Sequence, residues 1–342
     1  MYFLLYLLLA IIAFSDVFYH RKAYQDLMTF FIVVVLVIFA ATRSNVGLDW
    51  YAYENMYINQ YELVSQNIEI GFASIYRLLD GLSYPWVLMI INTLNFALLI
   101  CFLDKFSHYK NVALLVFFSD LFFYLNLSGM RQSIALSISL ISIFFVVRKQ
   151  FFLFAITIFV ACLFHKTAIV FSLAYIVNYF KVGYRNILIA SLCSFVIAGS
   201  FLTLSEYLSS LGYFRNVELY TDSAYNSTYS TMDYLLGCIK RVLPVLLLLM
   251  VVPLRQVRDN IFLKLYLVGM FCYLALYPSF PDIAVRLSLY FLVYDAILYG
   301  LILYNCKNLM QKLVLFGVLL LVTAYKINGY TTMEGYIYHN IL

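Results

Sequence analysis

Thr29-Phe30-Phe31-Ile32-Val33-Val34-Val35-Leu36-Val37-Ile38-Phe39-Ala40-Ala41-Thr42-Arg43 decides the fold. From Phe30 to Ala41 no polar residue interrupts the run, so a helix built from it is apolar all round and has no face for water. With its flanks the segment 26–42 approaches the ~20 residues that cross a bilayer. Arg43 then closes the span at one interface. The same pattern recurs on both sides of this stretch. Apolar runs separated by short polar breaks occur at 2–19, 84–103, 111–127, 130–147, 151–164, 167–180, 186–204, 234–253, 261–277, 286–305 and 313–328. The first run leads straight into the second without a small-residue cleavage site, and reads as a span.

The composition agrees. Of 342 residues, 65% are apolar and 11% charged, against roughly a quarter charged in ordinary soluble domains. A soluble globule of this size cannot hide so much apolar surface. Soluble and disordered chains are therefore excluded, and the lipid bilayer is the expected surroundings. The expectation is an all-α, polytopic integral membrane protein with about twelve transmembrane helices. Short helices are expected in its outer loops. No repeat and no low-complexity linker divides the chain, so residues 1–342 read as a single transmembrane domain. Cys101, Cys162, Cys193, Cys238, Cys272 and Cys306 all fall inside apolar runs, with no CxxC or His/Cys cluster. They read as small buried hydrophobes, and no disulfide or zinc site follows.

Orientation comes from the basic residues in alternate breaks. Arg21, Lys22, Lys105, Lys110, Arg148, Lys149, Lys181, Arg185, Arg255, Arg258, Lys264, Lys307 and Lys312 mark one side as cytoplasmic; His20 and His108 fall in the same breaks. The opposite side takes the two long loops, 43–83 and 205–233. These carry Asp49, Glu54, Glu62, Glu69, Asp80, Glu206, Glu218, Asp222 and Asp233. Twelve spans would put both termini outside. Within the first outer loop, Glu69 to Leu79 has apolar residues at helical spacing. A helix lying on the outer surface and a helix packed on the bundle both fit.

Nine basic residues remain. Arg77 and Arg215 read as surface charges, and Lys326 as a snorkelling side chain. Arg43, Arg131 and Arg286 lie at the outer ends of three spans. Guanidiniums gathered on one face repel unless an anion joins them, and phosphate is the simplest such anion. Arg131 also opens its helix, whose dipole points positive the same way. His165-Lys166 tips a hairpin whose two arms are each too short to cross ~30 Å of hydrocarbon. A His and a Lys at that depth call for a wet cavity. Lys240 and Arg241 lie inside the ninth span, where either a phosphate or a buried acid answers their charge; Asp120 and Asp295 are the available intramembrane acids. Asp49 follows Arg43 and Gly47 in one loop, and Trp50 and Tyr51 offer flat faces suited either to sugar rings or to the interfacial belt.

Arg43-x-x-x-Gly47-x-Asp49 followed by Tyr51 resembles the first outer loop of the EpsG-like branch of the Wzy polysaccharide polymerases. Glu69-Ile70-Gly71-Phe72, Arg131-Gln132-Ser133-Ile134-Ala135, Phe164-His165-Lys166-Thr167-Ala168 and Arg286 with Tyr290-Phe291 keep that family's order. Trp50 departs from the small polar residue common there. The resemblance implies a metal-independent membrane glycosyltransferase without a cofactor, active on the outer face of a bacterial cytoplasmic (inner) membrane. It would join undecaprenyl-pyrophosphate-linked oligosaccharide repeat units into O-antigen, capsule or exopolysaccharide. A chain-length regulator protein is a partner it allows; nucleic acid is not expected.

In that chemistry Arg131 and Arg286 would meet the charge of the leaving pyrophosphate, with Lys240 or Arg241 assisting. Asp49 and His165 are both candidates for the base. Arg43, Trp50, Tyr51 and Lys166 would bind substrate. Two other activities compete. A lipid-linked glycan ligase would use a similar residue set with a different acceptor. A transporter or flippase for lipid-linked sugars would need residues reachable from both sides, and paired broken helices are not evident. A membrane acyltransferase fits the ordered motifs poorly.

Overall fold

The structure is a computed structural model and describes residues 1–19, 21–64, 66–210 and 230–340. His20, Arg215, Glu218, Asp222 and most of the outer loop 205–233 lie outside the described residues.

Each apolar run of the sequence is helical, although 286–305 breaks into two helices and 167–180 begins as a 3-10 helix. Among the described residues, six helices are long and apolar enough to cross a membrane: Lys22–Ala41, Tyr84–Phe106, Lys110–Ser128, Met130–Val147, Thr231–Val251 and Leu309–Thr331. A bent pair, Pro281–Leu292 and Asp295–Tyr304, forms a seventh candidate, with a 40° change of direction. Tyr2–Phe18, Phe151–Cys162, Lys166–Val177, Tyr184–Ala198 and Ile261–Leu276 are shorter apolar helices. The chain is an all-α, multi-pass membrane protein. Its lipid-side character shows in exposed rings and aliphatics such as Phe30, Phe152 and Leu321.

The helices form two compact units, one of Met1–Ser172 with Tyr299–Leu342 and the other of Leu173–Leu298. In the first, Tyr2–Phe18 packs on Lys110–Phe117, and Tyr84–Phe106 lies between Lys22–Ala41 and Met130–Val147. The segment Phe118–Ser128 winds as a π-helix. Its end is closed by Gly129 N–H donating to the Tyr124 carbonyl at 2.7 Å. In the second, Ile261–Leu276 packs against Pro281–Leu292, Tyr184–Ser210 and Thr231–Val251.

Several expectations need correction. Lys326 does not snorkel. It is buried, and its Nζ donates to Asp120 Oδ2 at 2.7 Å. A lone ammonium at that depth would be costly, and pairing answers the cost. Asp120 is therefore Lys326's partner. The six cysteines are free thiols, but Cys101 and Cys193 are exposed and the other four half-buried, so none is fully buried.

The outer loop after Ala41 is held by backbone geometry. Arg43–Ser44 pairs antiparallel with His339–Asn340. The Arg43 guanidinium is buried, with Nε donating to the Val46 carbonyl at 3.1 Å and Nη1 to the Ala40 carbonyl. Gly47 has φ +104°, and a Cβ there would stand 1.8 Å from the Leu127 carbonyl oxygen. Its N–H donates to the Gly335 carbonyl at 2.8 Å. Leu48 N–H donates to Ser128 Oγ at 3.1 Å, and Ser128 Oγ lies 2.8 Å from Tyr336 OH. The start of the loop, the end of the π-helix and the segment 334–340 are thus one fixture.

Gly47→Ala should cost on the order of 3 kcal/mol, because a left-handed φ and a backbone clash coincide. Gly81→Ala is the control: φ is +81° there, but the added Cβ meets nothing within 4 Å. Only the backbone strain of ~1–2 kcal/mol should appear. Thermal unfolding of both variants in detergent checks the difference.

Candidate active site at the outer end of the first unit

Two short helices build the outer loop onto the bundle. Trp50–Ile58 begins at Asp49, and Ile70–Leu78 begins at Glu69. Phe72, Ala73 and Tyr76 turn inward from the second of these and pack with Trp50, Tyr53, Tyr84 and Met130. The amphipathic segment is therefore a packed helix, with Ile70 and Leu78 left exposed. The Tyr57 hydroxyl ties the first helix to the end of the second, its one proton shared between the Leu79 and Leu82 carbonyls at 2.7 and 2.8 Å.

Gly71 sets the position of Glu69. Its N–H donates to the Leu163 carbonyl at 2.8 Å, and a Cβ there would lie 2.7 Å from the same oxygen. Only glycine lets the first turn of Ile70–Leu78 approach the tip of the Phe151–Cys162 hairpin so closely. That helix has 12 residues, about 18 Å at the usual rise. The helix ends at Cys162, and the residues after it bring His165 and Lys166 N–H to the Glu69 carboxylate.

Three donors converge on this one carboxylate. Arg131 Nη1 is 2.7 Å from Oε2. Lys166 N–H donates to Oε1 at 3.2 Å, and His165 Nδ1 lies 3.3 Å from Oε1. Glu69 is 8% exposed. Burial alone would raise its pKa, but His165, the N-terminal backbone of its helix, the Arg131 charge and Lys166 N–H outweigh burial and hold the carboxyl at about 2. Arg131 N–H reaches Tyr53 OH at 3.4 Å, and Tyr53 is itself buried. Burial raises the Tyr53 phenol; the Arg131 charge works against that, and the Asp49 carboxylate reinforces it. Asp49 itself is exposed, so it stands at the margin of the same cluster.

The structure thus groups Arg131, His165 and Lys166, with Asp49 close by. It places Trp50 in the packed layer, edge-on to Tyr84, and leaves Tyr51 exposed beside it. Arg43 is engaged by backbone carbonyls. Glu69 binds the group together, yet as one of nine outer-side acids it gave only a weak signal. The Glu69-x-Gly71 spacing was the sign available. Arg131 Nε is buried without a hydrogen-bond partner. An orphaned donor on a guanidinium fits an anion.

Arg241 and Arg286 belong to the second unit. Arg286 is exposed on Pro281–Leu292. Arg241 lies over the Tyr273 ring at 3.4 Å from its centroid, and its Nη1 donates to the Gly237 carbonyl at 2.9 Å. Gly237 admits the ring, since a Cβ there would lie 2.1 Å from Tyr273 OH. Pro244 leaves the Lys240 carbonyl without its helical donor. The neighbouring Arg241 carbonyl accepts from Tyr266 OH at 2.8 Å. Arg241 Nε, like that of Arg131, is buried without a partner. Tyr234 and Tyr277 stack beside Tyr273.

A family model matches residues 26–342. The chain belongs to the EpsG family. This is a family of Wzy-like polysaccharide polymerases, and the match covers the Arg131, Glu69 and His165 cluster together with Arg241 and Arg286. No curated protein and no solved structure matches the chain significantly.

Glu69 should make stability acid-sensitive. Its carboxyl lies below its ordinary 4.5 in the folded protein. The contribution is therefore complete above about 4.5 and lost as pH falls towards about 2. It amounts to about 3 kcal/mol. Thermal unfolding of wild type against Glu69→Gln through that window should show the gap between them closing as pH falls.

Proposed function

We propose that the chain is a polysaccharide polymerase acting at the outer face of a bacterial cytoplasmic membrane. It transfers a growing glycan from undecaprenyl pyrophosphate to the free end of another lipid-linked repeat unit. The observation that carries this reading is the cluster of Arg131, Glu69 and His165 in an EpsG-family chain. An arginine with an unused buried donor and an imidazole share one carboxylate at the outer end of the spans.

The chemistry is a displacement at a sugar carbon. An acceptor hydroxyl attacks the anomeric carbon and loses its proton to a base, either Asp49 or His165. The bond from that carbon to the pyrophosphate oxygen breaks, and the oxygen leaves with the electron pair. The negative charge that builds there needs fixed cations. Arg131 and Arg286 take that role, with Arg241 and Lys240 assisting. Lys166 is exposed at the hairpin tip and adds a mobile charge. Tyr51 supplies the exposed ring for a sugar face, while Trp50 and Arg43 support the loop that presents it. The positive-inside pattern supports the outward orientation of this end.

Purified protein supplied only with lipid-linked repeat units should make polymer. Arg131→Ala and Arg286→Ala should each lower the rate per folded molecule by roughly 10²–10³-fold, the usual cost of removing a charge-stabilising group; Arg131→Ala should also lower stability, because it takes a partner from the buried Glu69. Gel analysis of chain length reads the outcome, and wild-type chain lengths from both variants would sink the assignment.

A further inference from the structure

We infer that Glu69 is the positioning residue that makes His165, and not Asp49, the base; this rests on the polymerase reading above. His165 Nδ1 is buried and has no hydrogen-bond partner of normal geometry, and Glu69 Oε1 stands 3.3 Å from it. A buried ring nitrogen facing a carboxylate oxygen is stable only if it carries the proton, since two lone pairs would otherwise oppose each other. A neutral imidazole has one N–H. With that proton on Nδ1, Nε2 holds the free lone pair. A solvated imidazole favours the opposite tautomer, so the carboxylate determines which nitrogen is basic.

The same carboxylate fixes the ring relative to the leaving-group cation. Oε2 takes Arg131 Nη1, and Oε1 takes His165 Nδ1 and Lys166 N–H. The group that meets the departing pyrophosphate and the group that receives the incoming hydroxyl's proton are thus held by one rigid carboxylate. In the transfer, that proton passes to Nε2. The oxygen it leaves bonds to the anomeric carbon, and the pyrophosphate oxygen departs with the electron pair of the broken bond. Glu69 touches none of these atoms. Held near pH 2 by its donors, it stays ionised and is itself too weak a base for the step. Asp49, by contrast, is exposed at the start of the Trp50–Ile58 helix.

The test uses the full chain in lipid nanodiscs, labelled with [15N]histidine. The chain has 4 histidines, and the His165 signals are those missing from His165→Asn. Nitrogen chemical shifts should show the neutral ring protonated at Nδ1. In Glu69→Gln, which keeps size but not charge, the Nε2-protonated form should grow, and the polymerisation rate should fall roughly 10–100-fold, as for loss of a residue that orients a histidine. Glu69→Asp, which keeps the charge, should hold the Nδ1 tautomer and recover part of the rate. The Glu69→Gln, His165→Asn double variant should be slower than His165→Asn alone by less than the full Glu69→Gln factor, since the part of that factor carried by the ring is already lost and only the part carried by Arg131 remains. An unchanged ring in Glu69→Gln, or losses that multiply in the double variant, would overturn the inference. A wild-type protein that makes no polymer from lipid-linked repeats, with the tautomer as expected, sinks the polymerase reading and leaves the Glu69–His165 pairing standing.

Discussion

A single carboxylate, Glu69, holds one end of the first unit together. Removing a carboxylate from water costs several kcal/mol unless strong donors replace the water. Here the replacements come from two segments far along the chain: Arg131 at a helix start, and His165 with Lys166 at a hairpin tip. None of the three can withdraw without leaving a buried charge uncompensated. The depth of the hairpin, the entry of the Met130–Val147 helix and the seat of the Ile70–Leu78 helix are therefore mutually fixed.

That fixture depends on close approaches that only small residues permit. Gly71 brings the helix carrying Glu69 against the Leu163 carbonyl, and Gly47 brings the first outer loop against the Leu127 carbonyl. The second contact is reinforced from the far end of the chain, where Tyr336 meets Ser128 and its carbonyl accepts from Tyr2 OH at 2.9 Å. Arg43 belongs to the same frame. Its guanidinium satisfies the Ala40 carbonyl at the end of the Lys22–Ala41 helix, where orphan acceptors are expected, and the Val46 carbonyl in the loop that follows. Its charge therefore steadies the loop that presents Asp49 and Tyr51.

The fold was largely legible because the signal for a membrane helix is local. Each apolar run, from 26–42 to 313–328, contains its own evidence and became helical; even the short arms beside His165 were visible as length. Partners were not legible in the same way. Glu69 and Arg131 are 62 residues apart, and Asp120 and Lys326 are 206 apart. No periodicity connects such pairs, so Lys326 read as a snorkelling end and Glu69 as one more outer-side acid. The π-winding of Phe118–Ser128 was equally hidden, since its apolar composition suits an α-helix as well. Trp50 and Tyr51 show the limit most simply: adjacent aromatics carry the same compositional meaning, and only packing decides that one is buried and the other exposed.

Two ion pairs of the first unit, Lys326 with Asp120 and Arg131 with Glu69, also differ in kind, which separates structure from site. Lys326 donates its ammonium to Asp120, and a point charge meeting one carboxylate leaves little directional capacity over. Arg131 commits Nη1 to Glu69 but keeps Nε buried and unpartnered. A guanidinium has five donors in a fixed plane, so neutralising its charge with one carboxylate does not exhaust its hydrogen bonding. Glu69 can thus stabilise Arg131 in the folded protein and still leave it able to grip an oxyanion. A lysine at position 131 would be compensated in the same way, but without a fixed second donor to offer.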